Sequence, residues 1–143
     1  MSLIMAFKSK LSFNGKEFDV VYCDYQLKRK VDSKGRPNSE IQGGCEEGGL
    51  LKVTIEATED TSITEAMANQ YKPTTGTVIF NRGNEEAKMK EISWENGFIT
   101  EIKEAFDLTK KDQDQVMLLS FTVSAQILKV GTAEFVQDLP TDR

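Results

Sequence analysis

Apolar and polar residues alternate with a period of two along most of this chain, the signature of half-buried β-strands. Phe7, Ser9, Leu11 and Phe13 alternate with Lys8, Lys10 and Ser12. Asn14-Gly15, the strongest short hairpin signal, follows. The returning strand places Phe18, Val20 and Tyr22 on one face, and from Cys23 the apolar face moves to Cys23, Tyr25 and Leu27. A change of phase inside one strand predicts a bulge near Val21–Cys23, and bulges bend strands so that a sheet can close. Leu51, Val53, Ile55 and Ala57 mark a third strand.

The period then changes. Ser62-Ile63-Thr64-Glu65 fits a capping box, with Ser62 as N-cap. Ile63, Ala66, Met67 and Tyr71 share a helical face, and Pro73 stops the helix, which is expected at about residues 62–71. So short a helix has to pack on the sheet or plug a barrel end. Strands resume at Thr77–Asn81, at about Ala87–Glu95 and at Phe98–Leu108, with turns at Asn81-Arg82-Gly83-Asn84 and Asn96-Gly97. Val116–Val130 is the longest alternating stretch: Met117, Leu119, Phe121, Val123, Ala125 and Ile127 form one face. Gly131 breaks it, and a short strand is expected in Thr132–Val136. Seven or eight strands joined by tight turns imply an all-β fold, a barrel or sandwich of mainly antiparallel strands with one short helix. The chain reads as a single domain over 1–143, with 137–143 a loose tail. Met5 is an alternative start, which would leave Met1–Ile4 as an extension or a cloning scar.

One stretch escapes the pattern. Between Val31 and Leu50 no apolar periodicity survives, and turn formers crowd Asp32-Ser33-Lys34-Gly35 and Arg36-Pro37-Asn38-Ser39. Gly43-Gly44 and Gly48-Gly49 close it. A connection this long in a compact domain is usually functional or disordered. Lys28, Arg29, Lys30, Lys34 and Arg36 are opposed only by Asp32, so this window carries a net +4. The whole chain carries −5, which leaves −9 for the remainder. A basic loop on an acidic body suits head-to-tail docking on a copy of the same chain; a solvated surface loop is the plainer reading.

Composition removes most chemistry. There is no histidine, hence no common general base, no serine or cysteine triad of the usual kind and few zinc sites. Cys23 and Cys45 lack CxxC spacing and read as two reduced thiols. The neighbouring carboxylates Glu46-Glu47, Glu59-Asp60 and Glu85-Glu86 read as surface charge, since sequence neighbours on a strand point to opposite faces. No Gly-Lys-Ser/Thr follows the glycine pairs, so no phosphate cradle is expected. Neither an enzyme, a metal, nor a cofactor is expected. The acidic balance argues against nucleic-acid binding. No run approaches the ~20 apolar residues of a membrane span, and the apolar run at Leu3–Phe7 is too short for a signal-peptide core.

Several segments resemble a known family. They are Tyr25-x-Leu27, Val31-Asp32-Ser33-x-Gly35-Arg36-Pro37-x-Ser39 and Gly43-Gly44, then the helix at Ser62–Gln70 and Gly76-Thr77-Val78-Ile79-Phe80. Lys88-Met89-Lys90-Glu91-Ile92, Glu104-Ala105-Phe106-Asp107 and Phe121-Thr122-Val123-Ser124-Ala125 continue the likeness, which spans about Phe7 to Val136. In this order they resemble the Bacteroidota branch of the Hcp (TssD) proteins, tube subunits of type VI secretion systems. The D-x-x-G-R-P-x-S run is the most specific part.

The resemblance implies a β-barrel with one helix, six copies in a ring, and rings stacked into a hollow tube. That tube is assembled in the cytoplasm inside a contractile sheath and expelled without a signal peptide. A VgrG spike, the baseplate and effector proteins are the implied partners besides the chain itself. The resemblance places subunit and ring contacts in the loop after the second strand: Lys28, Arg29, Lys30, Val31, Asp32, Lys34, Gly35, Arg36, Pro37, Ser39, Gly43 and Gly44. The competing expectation is a monomeric barrel that binds a small ligand in an apolar cavity.

Overall fold

The computed structural model describes residues 8–27, 33–36, 50–69, 71–81, 88–109 and 117–136. The chain runs β1 (Lys8–Phe13), β2 (Lys16–Gln26), β3 (Leu50–Glu56), α1 (Ser62–Ala68), β4 (Thr74–Asn81), β5 (Lys88–Phe106), β6 (Met117–Val130) and β7 (Ala133–Val136). The sheet order is β3-β2-β1-β4-β5-β6-β7, and β3 also pairs with β6. That extra pairing closes six strands into an antiparallel barrel, with β7 continuing along the β6 edge beyond β3. The all-β fold with one short helix is as expected, and of the barrel or sandwich that the alternation allows it is the barrel that forms.

The Asn14-Gly15 hairpin forms where expected: φ is 56° at Asn14 and 75° at Gly15, the doubly positive geometry such a turn needs. The bulge in β2 also forms. Its register on β3 slips between Val20 and Tyr22. The slip comes one residue earlier than the shared face of Phe18, Val20 and Tyr22 supposes, so Tyr22 points outward and is 56% exposed. Leu51, Val53 and Ile55 of β3 are buried as the alternation requires.

Other expectations are corrected. Asn96-Gly97 is no hairpin turn, because β5 runs through it as one strand. Asn96 adopts φ 52°, as a turn residue would, but uses it to rotate the strand. The buried pairs Trp94–Leu128 and Gly97–Ala125 are therefore three residues apart on each strand rather than two or four. The same rotation moves the buried face of β6 from Ala125 to Leu128.

The helix is shorter than 62–71. Its N-cap is Thr61, not Ser62, and its last helical residue is Ala68. Thr61 Oγ1 donates to the Glu65 carboxylate at 2.7 Å, while Asp60 receives the Ser62 N–H at 2.8 Å. The acidic cap therefore sits ahead of the box that the sequence suggests. Ile63 and Ala66 still enter the core, but Tyr71 lies past the helix and is exposed.

The barrel interior is filled by side chains, with Trp94, Phe121, Leu11, Leu51, Ile55, Val53, Val78 and Val123 the largest fully buried ones. Each such aliphatic or aromatic group contributes roughly 1.5–3 kcal/mol by burial. Trp94 organises one flank. A Cβ on Gly76 would lie 2.3 Å from its ring, and one on Gly97 would lie 2.4 Å away. Its indole N–H donates to Thr74 Oγ1 at 3.0 Å, and that hydroxyl donates to the Gly97 carbonyl at 2.7 Å.

Candidate assembly surfaces

The strands β2, β3, β6 and β5 form one four-stranded antiparallel face of the barrel. Its two outer strands leave the barrel's other strands part-way along. β1 pairs with β2 only up to Asp19. β4 pairs with β5 only up to Gly97. Among the described residues, Val20–Gln26 of β2 and 98–106 of β5 thus have a sheet partner on one side alone. A bulge stands near each divergence, at Val20/Tyr22 in β2 and at Ile99/Glu101 in β5. Large apolar side chains lie exposed on these strands: Val21 at 42%, Tyr22, Tyr25, and Phe106 at 62%. Sequence reasoning missed these edges because their signal lies in the offset between strands, which a single chain's alternation does not encode.

The long connection and an acidic basin lie at opposite ends of the barrel. The chain leaves β2 at Gln26 and re-enters at Leu50, which pair with each other, so the long connection starts and finishes at one end. Of its predicted contact residues, Lys34, Gly35 and Arg36 lie in an exposed turn, with Gly35 at φ 82°. Lys28, Arg29, Lys30, Val31, Asp32, Pro37, Ser39, Gly43 and Gly44 lie outside the described residues.

At the opposite end, β2 begins and β3 finishes. A shallow basin of about 750 Å3 lies between the Asn14-Gly15 hairpin and α1, lined among others by Glu17, Glu59, Asp60 and Glu65. Lys16 is the one cation in that lining, and it pairs with Asp60. The Lys16 ammonium, with the hydroxyl and N–H of Ser62, holds the Asp60 carboxyl down at about 2. The Lys16 pKa is raised in turn by its hydrogen bond to Asp60.

Among the described residues no three metal-capable side chains cluster. Burial pushes the Cys23 thiol up to about 12, so it stays protonated and unreactive near neutrality. A cleft of about 330 Å3 opens between α1, the first hairpin and the start of β4, but Phe13 and Ala66 form its floor beside polar Asn14, Ser62, Lys72 and Thr74. No described helix is long and apolar enough to cross a membrane.

The family model described as Hemolysin coregulated protein Hcp (TssD) matches residues 5–138. The structure of Hcp1 from Flavobacterium johnsoniae superposes with a TM-score of 0.77 at 26% identity, over 91% of this chain and 99% of that one. Hcp1 from Salmonella typhimurium is 9% identical, with a TM-score of 0.66 over 88% and 86% of the two chains. A chain of the sheath-tube complex of an extracellular contractile injection system, PVC, is 14% identical, with a TM-score of 0.52 over 87% and 88%. The last two share the fold. No curated protein matches the sequence.

Proposed function

The chain belongs to the Hcp (TssD) family of tube proteins, and from that premise we propose how its copies assemble. The carrying observation is that, among the described residues, the outer strands of the β2-β3-β6-β5 face are paired on one side alone. Those four strands alternate in direction, so the edge strands β2 and β5 run oppositely. Copies related by a rotation therefore present β5 of one to β2 of the next in the antiparallel sense. A head-to-tail contact of this kind closes into a ring when its rotation fits. Six copies would continue the face around a hollow tube wall without a break in strand direction. Exposed edges invite such pairing, and ring closure removes them.

Rings then stack by the ends. Lys34 and Arg36 meet the basin of Glu17, Glu59 and Glu65 on the copy above or below. Exposed ion pairs contribute only ~0–1 kcal/mol each, so the effect relies on repetition around the ring and weakens with salt. The subunit acts mechanically, as an element of the tube wall. It assembles in the cytoplasm inside a sheath, leaves with a VgrG spike at its tip, and carries effectors in the lumen.

Native mass at low and high salt, with negative-stain images of the same sample, tests this reading. Six-membered rings are expected, with stacks that shorten as salt rises. Lys34→Glu combined with Arg36→Glu is expected to leave single rings and abolish stacks. Stacks that ignore both salt and charge reversal would remove the loop from the contact. A strict monomer that retains a small molecule would return the ligand-binding barrel.

A further inference from the structure

We propose that the edge contact has a single register, fixed by Asp24 of one copy standing opposite Lys103 of the next. This rests on the ring reading above and specifies it residue by residue. Pairing within the chain sets the faces. Tyr22, Asp24 and Gln26 stand opposite Thr54, Lys52 and Leu50, while Cys23 and Tyr25 stand opposite the core residues Val53 and Leu51. On β5, Glu101, Lys103 and Ala105 stand opposite Thr122, Ser120 and Leu118, while Ile102 stands opposite the core residue Phe121. Outward residues must therefore meet outward residues, because a slip by one would turn every side chain to the wrong face. Allowed registers differ by two.

Three of them keep both edges engaged. With Asp24 opposite Lys103, Tyr25 meets Ile102, Tyr22 lies over the small Ala105, and Gln26 meets Glu101. The exposed Phe106 then reaches the exposed Val21 at the β2 bulge. Sliding by two one way sets Asp24 against Glu101, like charges face to face. Sliding the other way sets Asp24 against Ala105 and Tyr25 against Glu104, which forfeits the charge pair and the apolar pairs together. Cross-strand pairs of opposite charge and of aromatic with β-branched side chains favour the first register; opposed like charges disfavour the second. Asp24 is already oriented, since it accepts the Tyr22 hydroxyl at 2.5 Å and stands across from Lys52.

The test reads ring formation by native mass. Lys103→Glu is expected to lose rings at a concentration where the wild type is assembled, and Glu101→Lys to keep them. Lys103→Glu with Asp24→Lys is expected to restore part of the ring population, Lys52 being a like-charged neighbour of the new lysine. In a Cys23→Ala, Cys45→Ser background, Tyr25→Cys is paired in turn with Thr100→Cys, Ile102→Cys and Glu104→Cys. Only the Ile102→Cys pair is expected to give an oxidised ladder of cross-linked copies. A ladder from Thr100→Cys or Glu104→Cys with rings intact overturns the register alone. A wild-type chain that stays monomeric overturns the ring reading and the register with it.

Discussion

The two flanks of the barrel solve the same problem differently. Around Trp94, between β4 and β5, every polar atom named above has its partner within the chain: indole to Thr74, Thr74 to the Gly97 carbonyl. The glycines at 76 and 97 leave only the space the ring fills. Along the β2-β3-β6-β5 face, the outer strands are satisfied on one side and carry Val21, Tyr22, Tyr25 and Phe106 into solvent. A sealed flank is specified by packing within one molecule. An open flank leaves room for another copy, the role proposed for it above. The difference separates what folds the chain from what assembles it, and substitutions should divide along that line.

The largest effects are expected on the sealed flank. Trp94→Ala removes a fully buried indole and leaves Thr74 with one partner fewer, a loss of ~3–5 kcal/mol. Denaturant midpoints at constant m-value read it. Gly97→Ala forces a methyl to within 2.4 Å of the ring and 2.7 Å of Val123, so overpacking of ~1–3 kcal/mol is expected. Thr74→Val keeps the shape but leaves the buried indole N–H and the Gly97 carbonyl unanswered, at ~1–3 kcal/mol. A Gly97→Ala protein as stable as wild type would mean that the sealed flank is looser than its geometry. By contrast, Lys34→Glu with Arg36→Glu lies in an exposed turn and should alter stability by no more than ~0.5 kcal/mol.

The same division explains what was legible in the sequence. Strand alternation exposed the barrel because burial on one face writes a period of two, and β1, β3 and the first part of β6 obey it. The β2 bulge was legible because it shifts that phase. Asn96-Gly97 misled because a left-handed asparagine before a glycine serves a hairpin and a strand rotation equally; only the Trp94 ring, distant in neither sequence nor space, decides between them. The helix cap misled because Asp60, Thr61 and Ser62 can all cap, and it is Lys16 from the first hairpin that draws Asp60 into place. The basic loop was visible as charge. The one-sided edges were not, since among the described residues they arise where β1 and β4 no longer accompany β2 and β5.

The smallest expected effect lies at the acidic end, and its pH dependence distinguishes an ion pair from a cap. Asp60 titrates at about 2 in the folded chain, below the ordinary carboxylate value of 3.8. Its contribution is thus complete above about pH 4 and is lost as pH falls from there toward 2, when the unfolded chain binds the proton first. Asp60→Asn retains an oxygen able to accept the Ser62 N–H but drops the charge that Lys16 answers. If the ion pair matters, the variant melts slightly lower than wild type at pH 6, and the gap narrows as both are taken to pH 2.5. If the contact serves only to cap α1, the two melt together at pH 6. A gap that persists unchanged through the acid range would assign the effect to something other than the charge on Asp60. Because the Lys16 end of the pair is exposed, 0.5 M salt should narrow the gap at pH 6 as well, whereas the Trp94 flank, built without charged groups, should show no such narrowing.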